Sequence, residues 1–310
     1  MITPTEELCW RTKGVIIPDC KLELEEQLLH DIEQHYKMKG QVESDFGSDP
    51  DLSFPCKYTS INEICTNKVL IAIAGQLLNA PPILIQAVAW GKIYKDSSIQ
   101  SNDDQRMHMD YGNNSFVHPP PFNNPDVAAC LLYLSDTEDT GGGTTFVPRE
   151  GPNDFWYKPP YTKMPGQNGL PFINNRLDAE RMLRDNKIDR SSLYDREIKP
   201  KYEIGDMLWY RHDVWHRGTP VNPGKIRYVI SLAWKKRTSA TLVWNAGYAK
   251  NMYFGWLEEF ISTLNHMQLY SIGFPHPLDS YWCTETINNT KNRFGSYGLD
   301  LDKYLSSTII

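Results

Sequence analysis

The sequence predicts a mainly β core with flanking helices, an α+β chain built around one barrel, and three observations carry that expectation. Short runs rich in β-branched and aromatic residues recur at 83–94, 127–134, 144–148, 207–210 and 227–234, with Gly, Pro, Asn or Asp around them. Helical spacing of apolar residues falls outside those runs, at 22–36 and 64–78 before them and in an aromatic tail after them. The residues with metal-binding chemistry, His108, Asp110 and His216, lie at the ends of strand-like stretches.

Taken in order, Lys13-Gly14-Val15-Ile16-Ile17-Pro18-Asp19 reads as an opening strand, followed by an amphipathic helix over 22–36. Residues 44–55 are polar and read as a loop. Over 64–78, Ile64, Leu70, Ile71, Ala74 and Leu78 share one broad face, so one helix is predicted there, ended by Pro81-Pro82. Residues 83–94 form one long strand or a strand pair, and 127–134 and 144–148 are two further strands. Gly205-Asp206 marks a tight turn, Met207-Leu208-Trp209-Tyr210 a buried strand, and a short connection then ends at His216. Arg227 opens a last strand that returns antiparallel. Trp90, Trp209 and Trp234, in apolar runs, are expected in the core. Residues 151–201, rich in Pro, Asn and Tyr, read as an insertion over the barrel mouth. The tail packs outside, with a helix over 248–269. The chain is thus expected to be a single domain over 1–310: an N-terminal region 1–82, a core of about 83–236 and a tail 237–310.

Length alone allows two domains, but barrels of 310 residues often form one. A hydrophobic share of 40% with 9 Trp, 17 Tyr and 11 Phe suffices for a core and an aromatic pocket. A net charge of −6 argues against a generic phosphate-backbone binder, so no nucleic-acid partner is expected. The six cysteines show no CxxC pairing and no His at zinc spacing, as free thiols in a reducing compartment would. There is no signal-peptide pattern, and no apolar run approaches the roughly 20 residues of a membrane span. These features predict a cytoplasmic protein acting on a small molecule, without a membrane; nothing in them sets the oligomeric state.

Residues two apart on a strand point the same way, so one strand end can offer His108 and Asp110 to one ion while Met109 faces away. With His216 they form two imidazoles and one carboxylate, the donor set that holds non-haem iron(II) on one face and leaves positions open. Arg227, eleven residues after His216, reads either as a guanidinium gripping the distal carboxylate of 2-oxoglutarate or as a surface arginine at a strand end. The expected cofactors are Fe(II) and 2-oxoglutarate, with dioxygen as co-substrate and ascorbate in support. Gln105 reads as a second contact to the keto acid or as a partner for a backbone group. Thr219 reads as support for the distal carboxylate or as a turn former before Pro220. Arg106, Lys92, Tyr94 and Arg149 are candidates for binding an anionic substrate, each with a solvated or salt-bridged alternative. His212 is the spare ligand should His216 not serve.

The order of these motifs resembles the phytanoyl-CoA dioxygenase family of Fe(II)- and 2-oxoglutarate-dependent oxygenases. The likeness also takes in the opening strand and helix, and Tyr133-Leu134-Ser135-Asp136 with Thr140-Gly141-Gly142-Gly143-Thr144-Thr145-Phe146-Val147-Pro148, similar to a mid-barrel hairpin of that family. It covers about residues 12–236, and the tail more loosely. The resemblance implies a double-stranded β-helix (a jelly-roll, cupin-like core) with His108, Asp110 and His216 as catalytic metal ligands. It implies oxidation of a C–H bond with release of succinate and carbon dioxide, hydroxylation being the default. Desaturation or oxidative cyclisation in natural-product biosynthesis, including a kainoid-type ring closure, uses the same cofactors. Asp110 disfavours halogenation, because halogenating relatives put a small residue there. Two departures stand out: Gly218 occupies the place of a serine that touches the keto acid in some relatives, and no stretch looks like a coenzyme A site. A small metabolite, carboxylated or derived from an amino acid, is the expected substrate. A protein-residue hydroxylase and a non-catalytic jelly-roll binding protein are the rival classes.

Overall fold

Every residue of the strand Val127–Tyr133 (β3) is buried, so this strand needs cover on both of its faces. The two covers are of different kinds. Ala128, Cys130 and Leu132 share an apolar cluster with residues of four N-terminal helices: α1 (Pro4–Lys13), α2 (Glu26–Lys39), α3 (Thr59–Cys65) and α4 (Lys68–Leu78). Ala129, Leu131 and Tyr133, which alternate with them, pack instead in a cluster containing Phe146 of a second sheet. The computed structural model behind this description covers residues 1–39, 49–94, 107–110, 120–157, 191–236, 262–271 and 274–308.

The remaining strands are β1 (Val15–Ile16), β2 (Pro82–Ile93), β4 (Thr144–Val147), β5 (Met207–Tyr210), β6 (Trp215–Gly218) and β7 (Ile226–Lys236). The large sheet runs β1-β5-β3-β7-β2 and the small one pairs β4 with β6, with every pairing antiparallel. Single bridges widen the small sheet: His108 pairs with His216 on one side, and Phe146 with Ile198 on the other. The expected α+β class, helices with antiparallel sheets, is what the chain adopts. Among the described residues no helix is long and apolar enough to cross a membrane.

Several elements differ from expectation. Of the predicted run 83–94, residues 83–93 belong to one strand, with a register shift between Leu84 and Gln86. The stretch 64–78 is two helices, because Asn67 caps α4 by accepting from the Val69 and Leu70 amides and breaks the run. That break turns Ile71 outward, 38% exposed, while Ile73 and Leu77 face the core. The helix expected over 22–36 starts only at Glu26, since the chain before it is tied down by the Leu22 amide, which donates to Gly205 O at 2.9 Å. Helix α1 was not anticipated, although Thr3-Pro4-Thr5-Glu6 carries its signal. Thr3 and Glu6 form a capping box and Pro4 sits at the first helical position. Trp209 and Trp234 are buried and stacked at 5.4 Å, whereas Trp90 is half-buried in the cluster between the sheets. Most of the insertion and most of the predicted helix 248–269 lie outside the described residues. The tail adds a separate apolar cluster around Phe274, Phe294 and Tyr304.

Candidate metal centre

His216 does not end a connection; it is the second residue of β6, flanked in register by Phe146 on β4 and by His108. The His108 bridge is held by two backbone hydrogen bonds, His108 N–H to His216 O at 3.0 Å and His216 N–H to His108 O at 2.9 Å. This pairing sets the two rings side by side, with centroids 4.4 Å apart. Asp110 follows two residues on. Its carboxylate oxygens lie 3.4 Å from His108 Nε2 and 3.5 Å from His216 Nε2. One donor atom from each of the three side chains falls within 4.8 Å of the others. The predicted set is therefore assembled, and His212 is not part of it: it is buried in the 211–214 turn.

Each donor is oriented. His216 Nδ1 faces Val214 O at 2.9 Å, so its N–H belongs there and Nε2 presents a lone pair toward the other two ligands. Burial pushes the His216 imidazole down to about 4, keeping it neutral as a ligand must be. Burial works against ionising Asp110, but His216 and His108 outweigh it and hold the carboxyl well below the usual range. The Tyr210 hydroxyl donates to Asp110 Oδ2 at 3.1 Å. Met107, Met109 and Trp215 alternate with the three donors and so point away from them, and they form an apolar cluster with Phe122 on the opposite face. A hard carboxylate with two neutral imidazoles fits iron(II) and leaves room for other ligands.

Arg227 lies on β7 with its side chain 4% exposed. Among the described residues no carboxylate pairs with it, and its Nε has no hydrogen-bond partner. The polar groups set against it are phenols: Tyr133, whose ring centroid is 6.0 Å from Cζ, and Tyr202. Burial pulls the guanidinium downward, and the two phenols offset this only in part. A buried cation is costly without an anion beside it, so with no carboxylate against it among the described residues this place suits an anionic ligand. The backbone nearby is shaped for it as well. Gly142 has φ +74°, and a Cβ there would come within 3.3 Å of Arg227 Cβ and 2.8 Å of a Val221 methyl.

The other sequence candidates are placed as follows. Lys92 stands opposite Arg227 in the β2–β7 register and donates to Thr219 O at 2.6 Å. The Thr219 hydroxyl donates to Gly143 O at 2.7 Å, tying the chain after β6 to the residue before β4. Tyr94 follows β2 directly, its amide bonded to Lys225 O. Arg149 lies over the Phe122 ring at 4.2 Å and donates to Gly151 O and Pro152 O. Gln105 and Arg106 lie outside the described residues. Sequence reasoning missed Tyr210 and Tyr133. Each ends an apolar strand, and a buried phenol in such a run must find a polar partner, which is the signal that was available.

No family model matches the chain, and no curated protein sequence does. Its structure resembles that of the epimerase SnoN in complex with Fe3+, alpha ketoglutarate and nogalamycin RO, at 14% identity and a TM-score of 0.51, covering 79% of this chain and 87% of that one. The non-heme alpha ketoglutarate dependent carbocyclase SnoK of nogalamycin biosynthesis scores 0.49 at 12% identity, covering 76% and 84%. EvdMO1 scores 0.47 at 13% identity over 76% of this chain, which spans half the length of that protein. At these identities the likeness to SnoN concerns the fold.

Proposed function

We propose that this chain, as one oxygenase domain, is an Fe(II)- and 2-oxoglutarate-dependent dioxygenase of the phytanoyl-CoA dioxygenase-like kind, with a double-stranded β-helix core. The observation that carries this reading is the buried Arg227, without a carboxylate partner among the described residues, in the same fold as the His108–Asp110–His216 set. SnoN, which shares the fold, was crystallised with iron and alpha ketoglutarate, and this supports the same cofactors here. His108, Asp110 and His216 would hold the metal, and Arg227 the distal carboxylate of the keto acid. Bound together, iron and keto acid supply dioxygen activation coupled to oxidative decarboxylation, releasing succinate and carbon dioxide and oxidising a C–H bond. The protein's own part is to orient. Tyr210 and Val214 O aim the ligands, and Arg227 sets the direction of the keto acid.

The substrate in this reading is a small metabolite, carboxylated or derived from an amino acid, and hydroxylation is the default outcome. Purified protein with Fe(II), ascorbate and 2-oxoglutarate under air should form succinate. His108→Ala should abolish this turnover, and Arg227→Ala should require far more 2-oxoglutarate. A metabolite screen by mass then separates gain of one oxygen atom, for hydroxylation, from loss of two hydrogens, for desaturation or cyclisation. No succinate together with no Fe(II)-dependent binding of 2-oxoglutarate would sink the oxygenase reading and leave a jelly-roll binding protein.

A further inference from the structure

A β-bulge in the edge strand β2 turns one amide side chain into the space between the sheets. Leu84 pairs with Trp234 and faces the helices, so strict alternation would send Gln86 the same way. The extra residue, Ile85, shifts the register, and Gln86 pairs instead with Ala233, which faces the second sheet. Bulges of this kind re-aim a side chain beside a site. Gln86 is half-buried, and no hydrogen bond of its amide side chain is found among the described residues.

The register sets what lies across from it. Tyr210, Ala129, Ala233 and Gln86 occupy one row over four adjacent strands. Strands lie about 4.8 Å apart, so Gln86 stands about 14 Å from Tyr210, whose hydroxyl reaches Asp110. Between these two walls the row carries only alanine, a single methyl on each strand, and so projects little into the space beside the metal centre. In the adjoining row Ser231 is diagonal to Gln86, about 7–8 Å away. It is 6% exposed, and its hydroxyl has no hydrogen-bond partner among the described residues. Polar groups taken from water without partners are costly unless a ligand meets them. Lys235, on the other diagonal, and Asp126 offset one another, so the corner carries no net charge.

Neutral donors and acceptors suit a neutral group. An amide offers a donor and an acceptor side by side and pairs with the Gln86 amide through two hydrogen bonds. A carboxylate only accepts, and a hydroxyl has a single atom to offer. We propose that Gln86 is a specificity-determining residue of the substrate pocket: with Ser231 it takes an uncharged carboxamide of the substrate, while the rest of the molecule lies over Ala129 and Ala233 toward the metal centre. This rests on the oxygenase reading of the preceding subsection.

The test is anaerobic equilibrium dialysis of protein loaded with Fe(II) and 2-oxoglutarate against two probes of one shape, benzamide and benzoate. Wild-type protein should bind benzamide in preference to benzoate. Gln86→Leu should weaken benzamide on the order of 10-fold, the range for two neutral hydrogen bonds. Its urea midpoint should equal or exceed that of the wild type, because the amide has no partner in the fold to lose. Ala233→Val, the second variant should Gln86→Leu not fold, narrows the row and should weaken both probes with 2-oxoglutarate binding as in the wild type. Equal benzamide affinity in wild type and Gln86→Leu, a lowered urea midpoint, a preference for benzoate, or no benzamide binding overturns the proposal while the oxygenase reading stands. Wild-type protein that binds no 2-oxoglutarate overturns both.

Discussion

Removing Glu197 should loosen the strand that carries His216, and the cost can be worked from the contacts. Along β6 the side chains alternate, so His216 faces the metal centre while Arg217 faces the outside of the small sheet. There Glu197 receives Arg217 through two bonds, Nε to Oε1 at 2.5 Å and Nη2 to Oε2 at 2.9 Å. Thr145 of β4 donates to the same carboxylate, and Lys199 Nζ lies 3.3 Å from it. The two side chains are only 1% and 5% exposed, so water does not weaken the pair. Glu197→Ala leaves a buried guanidinium without this carboxylate, at a cost of about 3–5 kcal/mol. In thermal unfolding that is a loss on the order of 5–8 °C for a chain of this size. Glu197→Gln keeps an acceptor and should cost less.

The pH dependence supplies a second check on the same pair. Burial alone would raise the Glu197 carboxyl, but Arg217 and Thr145 outweigh it and hold it below its ordinary 4.5. A depressed folded value means that the stabilisation is complete above about 4.5 and is lost as the pH falls through the folded value. The gap between wild type and Glu197→Gln should therefore narrow on acidification below about 4.5 and be constant above it. Glu197→Ala within about 1 kcal/mol of wild type by urea unfolding, or a gap that widens in acid, would refute the clamp.

Other expectations follow from single contacts. Tyr210→Phe removes the hydrogen bond to Asp110 and should weaken Fe(II) binding about tenfold or more in competition with a chelator; an unchanged affinity would show that Asp110 needs no such support. Gly205 has φ +89°, and a Cβ there would sit 2.5 Å from Leu22 O. Gly205→Ala should therefore cost about 2 kcal/mol or more in urea unfolding, whereas a neutral result would mean that the 21–25 segment moves freely.

The strand Val127–Tyr133 was legible because its residues are buried on both faces, and apolar runs of that length between turn residues have few other uses. The candidate metal ligands were legible for a different reason. His-x-Asp on one strand and a distant His are chemically unusual, and period-two alternation alone places the first pair together. By itself the amino-acid order gave the type of every strand but β6, and it singled out His108, Asp110 and His216 as candidate ligands and Arg227 as a candidate keto-acid anchor. It did not reveal where α4 begins, because a capping bond by Asn67 competes locally with a helical face that runs straight through it. Only the tertiary structure decided that His216 bridges His108, that Tyr210 reaches Asp110, and that Tyr133 and Arg227 are buried side by side. Those facts depend on strand register and on which groups find partners after packing. Neither is a property of residues near one another in the chain.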